Sequence, residues 1–220
     1  FMDYFISCQL NTGVIKQMRE SVLVKYRKGQ KGFSLLELLL VLGIVAALIV
    51  ASFIGYPKVR DARYVDIEAK HIGQIYASVR NVYAGQPDYS GLATTAVAIP
   101  AQFFPDDMLS KNITWGISSW GGYVVVDAND ASPSGLAASS FTISYSDVPD
   151  SVCIKLISAV ESSFYNIYVS NQKGINGSGE SAGKNYGTMV KQNGAGIDIT
   201  LMTSTCNSGG QNNRVVFLAL

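Results

Sequence analysis

Between Phe33 and Tyr56 the chain runs for twenty-four residues with a single charged side chain, Glu37. As a helix this run reaches about 36 Å, enough to cross a hydrocarbon core of about 30 Å. The pattern then changes rather than ending. Val65, Ala69, Ile72, Ile75, Tyr76, Val79, Val82 and Tyr83 recur at steps of three and four, the stripe of an amphipathic helix packed on a domain. Pro57, two residues after Gly55, removes a backbone donor inside the combined helix and is predicted to kink or loosen it. In "YAGQPD" Gly85 and Pro87 give the stop signal. One helix of about fifty residues is therefore expected to do two jobs, its first half in lipid and its second half backing a head.

From Pro87 to Ser119 the pattern is loop-like, broken by Pro100 and Pro105. Strands are predicted at "YVVVD" from Tyr123, "FTISY" from Phe141, "FYNIYVS" from Phe164, "IDITLM" from Ile197 and "RVVFLAL" from Arg214. Each is β-branched or aromatic and bounded by Gly, Asn, Asp or Ser. In "VPDSVCIKLISAVESS" the residues Val152, Leu156 and Val160 share a helical face, with Asp150 or Ser151 as its expected cap and Cys153 on its first turn. Asn171 to Gly196, rich in Gly, Asn and Ser, reads mostly as surface loop. The expected class is α+β: a long N-terminal helix, membrane-spanning in its first half, backing an antiparallel sheet with a second helix.

Charge sharpens this picture. Residues 1–32 hold six Lys or Arg against Asp3 and Glu20, whereas residues 33–220 hold eleven basic against fourteen acidic side chains. Lys25, Arg27, Lys28 and Lys31 directly before the apolar run are a positive-inside signal, placing residues 1–32 in the cytoplasm and the chain beyond Tyr56 across the membrane. A cleaved secretory signal is the rival reading. Its apolar core is shorter and ends in a small-x-small site, whereas this run passes through "GYPKVRDARY" into more helix. The mildly acidic remainder offers no basic groove, so no nucleic-acid partner is expected.

The three cysteines are Cys8, Cys153 and Cys206. With Cys8 in the basic segment, Cys153 and Cys206 are left as a pair whose separation suits neither a redox CxxC nor a zinc site. For a translocated domain the plain reading is a disulfide.

Catalytic chemistry finds no foothold in the sequence. "GSGESAGKN", Gly177 to Asn185, resembles a phosphate-binding loop only at Gly183 and Lys184. Ser178 stands where that motif needs glycine, and Asn185 where it needs the Mg²⁺-binding hydroxyl. His71 is the sole histidine, beside the helical stripe, and reads as a packed or surface residue rather than a catalytic one. Asp106 and Asp107 in "FFPDDML" read as a turn or helix start. No catalytic residue, metal or cofactor is assigned.

The residues Gly32, Phe33 and Glu37 within "KGFSLLELLLVLGIVAAL" carry a resemblance. They look like the class III signal of type IV pilins: a basic leader ending in glycine, a hydrophobic first mature residue, glutamate at the fifth mature position, then an apolar helix. The resemblance implies that prepilin peptidase cuts between Gly32 and Phe33 on the cytoplasmic side and N-methylates Phe33. It also implies that Glu37 neutralises the amino group of a neighbouring subunit's Phe33 and so sets axial register. The leader of up to 32 residues, the size of the head and the Cys153 to Cys206 loop resemble the type IVb branch, whose disulfide-bounded region is exposed on the filament. Phe33 departs from that branch, which often begins the mature chain with Met, Leu or Val. Translation from Met18 instead of Met2 gives a 15-residue leader.

The organisation expected on this basis is a leader (1–32), a membrane or filament-core half-helix (33–57), an amphipathic half-helix (58–86) and a head (87–220) holding the 153–206 loop. The expected function is that of a major type IVb pilin. It is held in the inner membrane with its head in the periplasm, then assembled by pilus machinery into an extracellular homo-oligomeric filament for adhesion, aggregation or conjugative contact with a host or recipient surface. A minor pilin or type II secretion pseudopilin is the alternative within the superfamily. Outside it stands a single-pass membrane protein with a periplasmic ligand-binding or enzymatic head.

Overall fold

The computed structural model describes residues 33–109, 114–129, 136–171, 186–208 and 213–220. The chain divides into two compact units, with the boundary between Ser52 and Phe53. Helix α1 is Leu35–Val82. In the first unit it begins where Leu38 N–H donates to the Ser34 carbonyl at 3.1 Å, and its apolar side chains from Leu35 to Val50 are exposed all round. A helix apolar on every face has no water-facing side, so its stable surroundings are lipid or other helices.

The second unit, Phe53–Leu220, carries the core. Its sheet is wholly antiparallel with strand order β1-β2-β3-β6-β4-β5. The strands are β1 Gly116–Ile117, β2 Tyr123–Asn129, β3 Ser140–Val148, β4 Asn166–Ser170, β5 Thr188–Lys191 and β6 Asn213–Ala219. Strand β6 lies between β3 and β4 and is buried at every position, which explains why "VVFLA" reads as a continuous apolar run and not an alternation. On the core face Val124, Val126, Phe141, Ile143, Tyr145, Ile167, Val169, Val215 and Phe217 line up at period two.

Helix α1 covers this face with Val65, Ile72, Ile75 and Val79, and Tyr76 sets its ring 5.8 Å from Phe141 and 5.6 Å from Phe164. Of the predicted stripe, Val82 departs: it is 52% exposed, because the contact passes to Tyr83, whose ring meets Tyr89 at 5.5 Å. Helix α2 Asp150–Val160 adds Val152, Cys153, Leu156, Ile157 and Val160 to the core, with Cys153 on its first turn as expected. Neither expected residue caps it, however. Pro149 is the N-cap, and Asp150 and Ser151 fall inside the first turn, where Ser151 Oγ donates to Asp61 Oδ2 of α1 at 2.7 Å.

Two further expectations are corrected. "IDITLM" is not a strand: Ile199–Cys206 forms helix α3, because Asp198 accepts from the Leu201 N–H at 2.9 Å and caps it. Within Asn171 to Gly196, read as loop, Thr188–Lys191 forms β5 along the edge of β4. The 87–119 segment is irregular but not idle. It makes a π-helical turn at Thr94–Ala98 and a 3-10 turn at Asp106–Met108, and buries Phe103, Phe104 and Met108. At the β1–β2 turn a Cβ on Gly122 would lie 2.0 Å from the Ser146 carbonyl oxygen, so only glycine lets the turn lie this close to β3.

Candidate functional site

The described chain opens on Phe33, 80% exposed, and Glu37 sits two residues into α1, in its first turn. A carboxylate there faces the positive end of the helix dipole. Gly32, the other half of the expected cleavage bond, and Cys8 lie outside the described residues, as do residues 177–185. In α1 one eighteen-residue window has a mean hydropathy of 2.9 and no burial, so the helix is long and apolar enough to cross a membrane. Gly55 and Pro57 both fall inside α1, whose helical geometry is assigned through them. Proline leaves the carbonyl four residues earlier, that of Phe53, without its helical donor.

Higher on α1 the structure assembles a polar cluster that the sequence pattern did not single out. Glu68 is completely buried. Its Oε1 accepts from Ser119 N–H at 2.6 Å and Ser119 Oγ at 2.7 Å; its Oε2 accepts from the Tyr145 hydroxyl at 3.1 Å and lies 3.4 Å from His71 Nδ1. The other ring nitrogen of His71 lies 3.1 Å from Asp107 Oδ2. One carboxylate thus joins α1 to the β1–β2 turn and to β3, and His71 extends the link to the 3-10 turn. Burial, then the charge of Glu68 and its hydrogen bond, push the Tyr145 phenol well above its usual 10.0, which keeps it a donor. The missed signal was the period: Glu68 falls between Val65 and Ile72 on the buried stripe, where an unpaired carboxylate would be costly.

This cluster fastens parts together; it offers no nucleophile and base arranged around a space for a substrate. Among the described residues no three His, Cys, Asp or Glu side chains converge as metal ligands. Asp106 and Asp107 form the start of the 3-10 turn, as expected.

Cys153 and Cys206 are bonded, with Cα atoms 5.8 Å apart, and join the first turn of α2 to the last turn of α3. Asn213 at the start of β6 seals the same corner, its Nδ2 donating to Asp150 Oδ1 at 2.6 Å, to the Cys206 carbonyl at 3.0 Å and to the Val148 carbonyl at 3.3 Å.

Residues 27–53 match the prokaryotic N-terminal methylation motif, which spans the basic-to-apolar junction around Gly32 and Phe33. Residues 62–220 match the PilS N-terminal family, which takes in the amphipathic part of α1 and the entire sheet. Comparison with curated proteins gives no match. Among solved structures, TcpA, a type IV pilin from Vibrio cholerae El Tor biotype, is similar at 13% identity over 72% of this chain and 99% of that one, with a TM-score of 0.49. Methylation motif, apolar helix and PilS match together place the chain in the PilS N-terminal family, within the type IV pilin superfamily.

Proposed function

We propose that this chain is a major pilin of the type IVb kind. Prepilin peptidase cuts it between Gly32 and Phe33 and N-methylates Phe33. It waits in the inner membrane with the head in the periplasm, and pilus machinery then packs it through α1 into an extracellular filament. The observation that carries this reading is the first part of α1, apolar on every face, wholly exposed, and interrupted only by Glu37 in its first turn. Such a helix needs a low-dielectric partner, and lipid before assembly and neighbouring α1 helices after it both serve.

Glu37 gives the reading its specific chemistry. A carboxylate at a membrane centre costs about 2.5–3.5 kcal/mol on insertion scales, less near an interface, and marks function by default. In a bundle of such helices it pairs with the amino group of an incoming subunit's Phe33 and fixes that subunit's height. The Cys153–Cys206 corner then belongs to the part of the head shown on the filament surface, available for adhesion, aggregation or conjugative contact. Gly55 and Pro57 supply the place where α1 loosens during packing.

The test is Glu37→Ala in the producing cell. Surface filaments are expected to disappear while the protein still accumulates in the membrane. Normal filament number and normal subunit incorporation contradict the charge role. Stoichiometry in sheared filaments separates a major subunit, which dominates the preparation, from a minor pilin or pseudopilin.

A further inference from the structure

We propose that His71 is a pH-sensitive latch: as an imidazolium it pins the 3-10 turn at Asp106–Met108 to α1, and as a neutral imidazole it lets that turn go. The ring stands between two carboxylates, with Nδ1 3.4 Å from Glu68 Oε2 and Nε2 3.1 Å from Asp107 Oδ2. These two ends differ. The Glu68 side chain is fully buried and that of Asp107 is 65% exposed, with the His71 side chain between them at 10%.

Proton count decides what the ring can hold. A neutral imidazole has one N–H and one lone pair, and an ionised carboxylate only accepts. Glu68 receives two donors from Ser119 and one from Tyr145, the pattern of an ionised carboxylate with no proton to give back. With its proton on Nδ1 the neutral ring satisfies Glu68 and turns a lone pair on Asp107. With the proton on Nε2 it turns a lone pair on Glu68 in the buried interior. The second arrangement is the costlier, because Glu68 cannot reach water and Asp107 can. Only the imidazolium donates to both, so the observed geometry is that of the charged ring.

Deprotonation therefore frees Asp107 and leaves Glu68 in place. The other ionisable groups around the ring do not replace the contact. Asp106, next along the turn, is one more acceptor; Tyr145 of β3 is engaged behind Glu68; Lys70, beside His71 on α1, is exposed. What loosens is local. Phe103, Phe104 and Met108 stay buried in the core, so the turn opens at its Asp107 end without unfolding the head. Histidine is the side chain whose charge ordinarily changes between pH 5 and 8, so the pin is present on the acid side of that window and lost as pH rises through it. All the groups belong to the second unit, and the latch works whether or not the chain forms filaments.

The test is NMR on the detergent-solubilised full chain. It follows the ring of His71, the sole histidine, and the exchange protection of the Met108 and Leu109 amides, which close the turn onto the Pro105 and Asp106 carbonyls at 3.0 and 3.2 Å. Protection is taken relative to the free-peptide exchange rate at each pH, which removes base catalysis. From pH 5 to pH 8 it is expected to fall about fivefold at both amides, in step with the ring titration, the size of one ion pair with an exposed partner. Asp107→Asn, whose amide offers the ring either a donor or an acceptor, is expected to abolish this fall while His71 still titrates. Asp107 is exposed, so this variant keeps the fold. The Leu201 amide, bonded to Asp198 Oδ1 at 2.9 Å on α3, is expected to keep its protection throughout. Unchanged protection at Met108 and Leu109 across the His71 titration overturns the latch, as does a full pH response in Asp107→Asn. An equal fall at Leu201 shows general loosening of the head and overturns it too.

Discussion

At the scale of single residues, Glu68 is the side chain on which most of the head's polar geometry turns. Four groups from three parts of the second unit aim at its two oxygens, and hydrogen bonds to a charged group are worth about 1.5–3 kcal/mol each in the net. Replacing Glu68 by Leu leaves the buried Tyr145 hydroxyl and the half-buried Ser119 donors without their acceptor, and is expected to destabilise the head by about 3 kcal/mol in denaturant unfolding. Glu68→Gln, which keeps one acceptor, is expected to cost less. Equal stability of Glu68→Leu and the parent contradicts the cluster's role. Tyr145 adds a pH signature. Its phenol is raised in the fold, so its contribution is complete below pH 10 and declines as pH rises above 10, where the unfolded chain ionises first. The parent is therefore expected to lose stability above pH 10 more steeply than Tyr145→Phe, a difference that alkaline melting curves read directly. Glu68 was hidden in the sequence because periodicity arguments count apolar positions, and a carboxylate on the buried stripe looks like a gap in it. Its partners come from Ser119 and Tyr145, 51 and 77 residues away, which no local pattern brings together.

At the scale of elements, the corner closed by Cys153 and Cys206 holds α2, α3 and β6 in one place. A crosslink across 53 residues constrains the unfolded chain by roughly 4 kcal/mol in the chain-entropy account. The double variant Cys153→Ser/Cys206→Ser is expected to unfold at clearly lower denaturant concentration than the parent, and to become protease-sensitive first near α3. An unchanged midpoint contradicts this. The elements also divide by how far the sequence revealed them. Helix α1, helix α2 and strands β2, β3, β4 and β6 were legible because their burial is wide enough to leave a clear period of 3.6 or 2, or an unbroken apolar run. Helix α3 was not. Its "IDITLM" has the β-branched alternation of a strand, and the outcome turned on one cap, Asp198, and on a disulfide at its far end. Strand β5 is four residues on a sheet edge next to a glycine-rich stretch, so its identity comes from pairing with β4 and not from its own composition.

At the scale of the whole molecule, the chain places an unpartnered apolar helix and a folded sheet domain in one polypeptide. Under the proposed filament role that combination has a simple meaning, since the helix would be satisfied by lipid first and by copies of itself later. The methylation motif was legible at once, because "KGFSLLELLLVLGIVAAL" concentrates the glycine, the first apolar residue and Glu37 in eighteen residues, and the match over residues 27–53 covers that junction. The measurement that bears most directly on the account is intact-mass and N-terminal sequencing mass spectrometry of the protein sheared from the cell surface. The expected result is a chain beginning at N-methylated Phe33, with residues 1–32 gone. A surface or membrane form that retains Gly32 and the basic segment before it, with an unmodified Phe33, contradicts it.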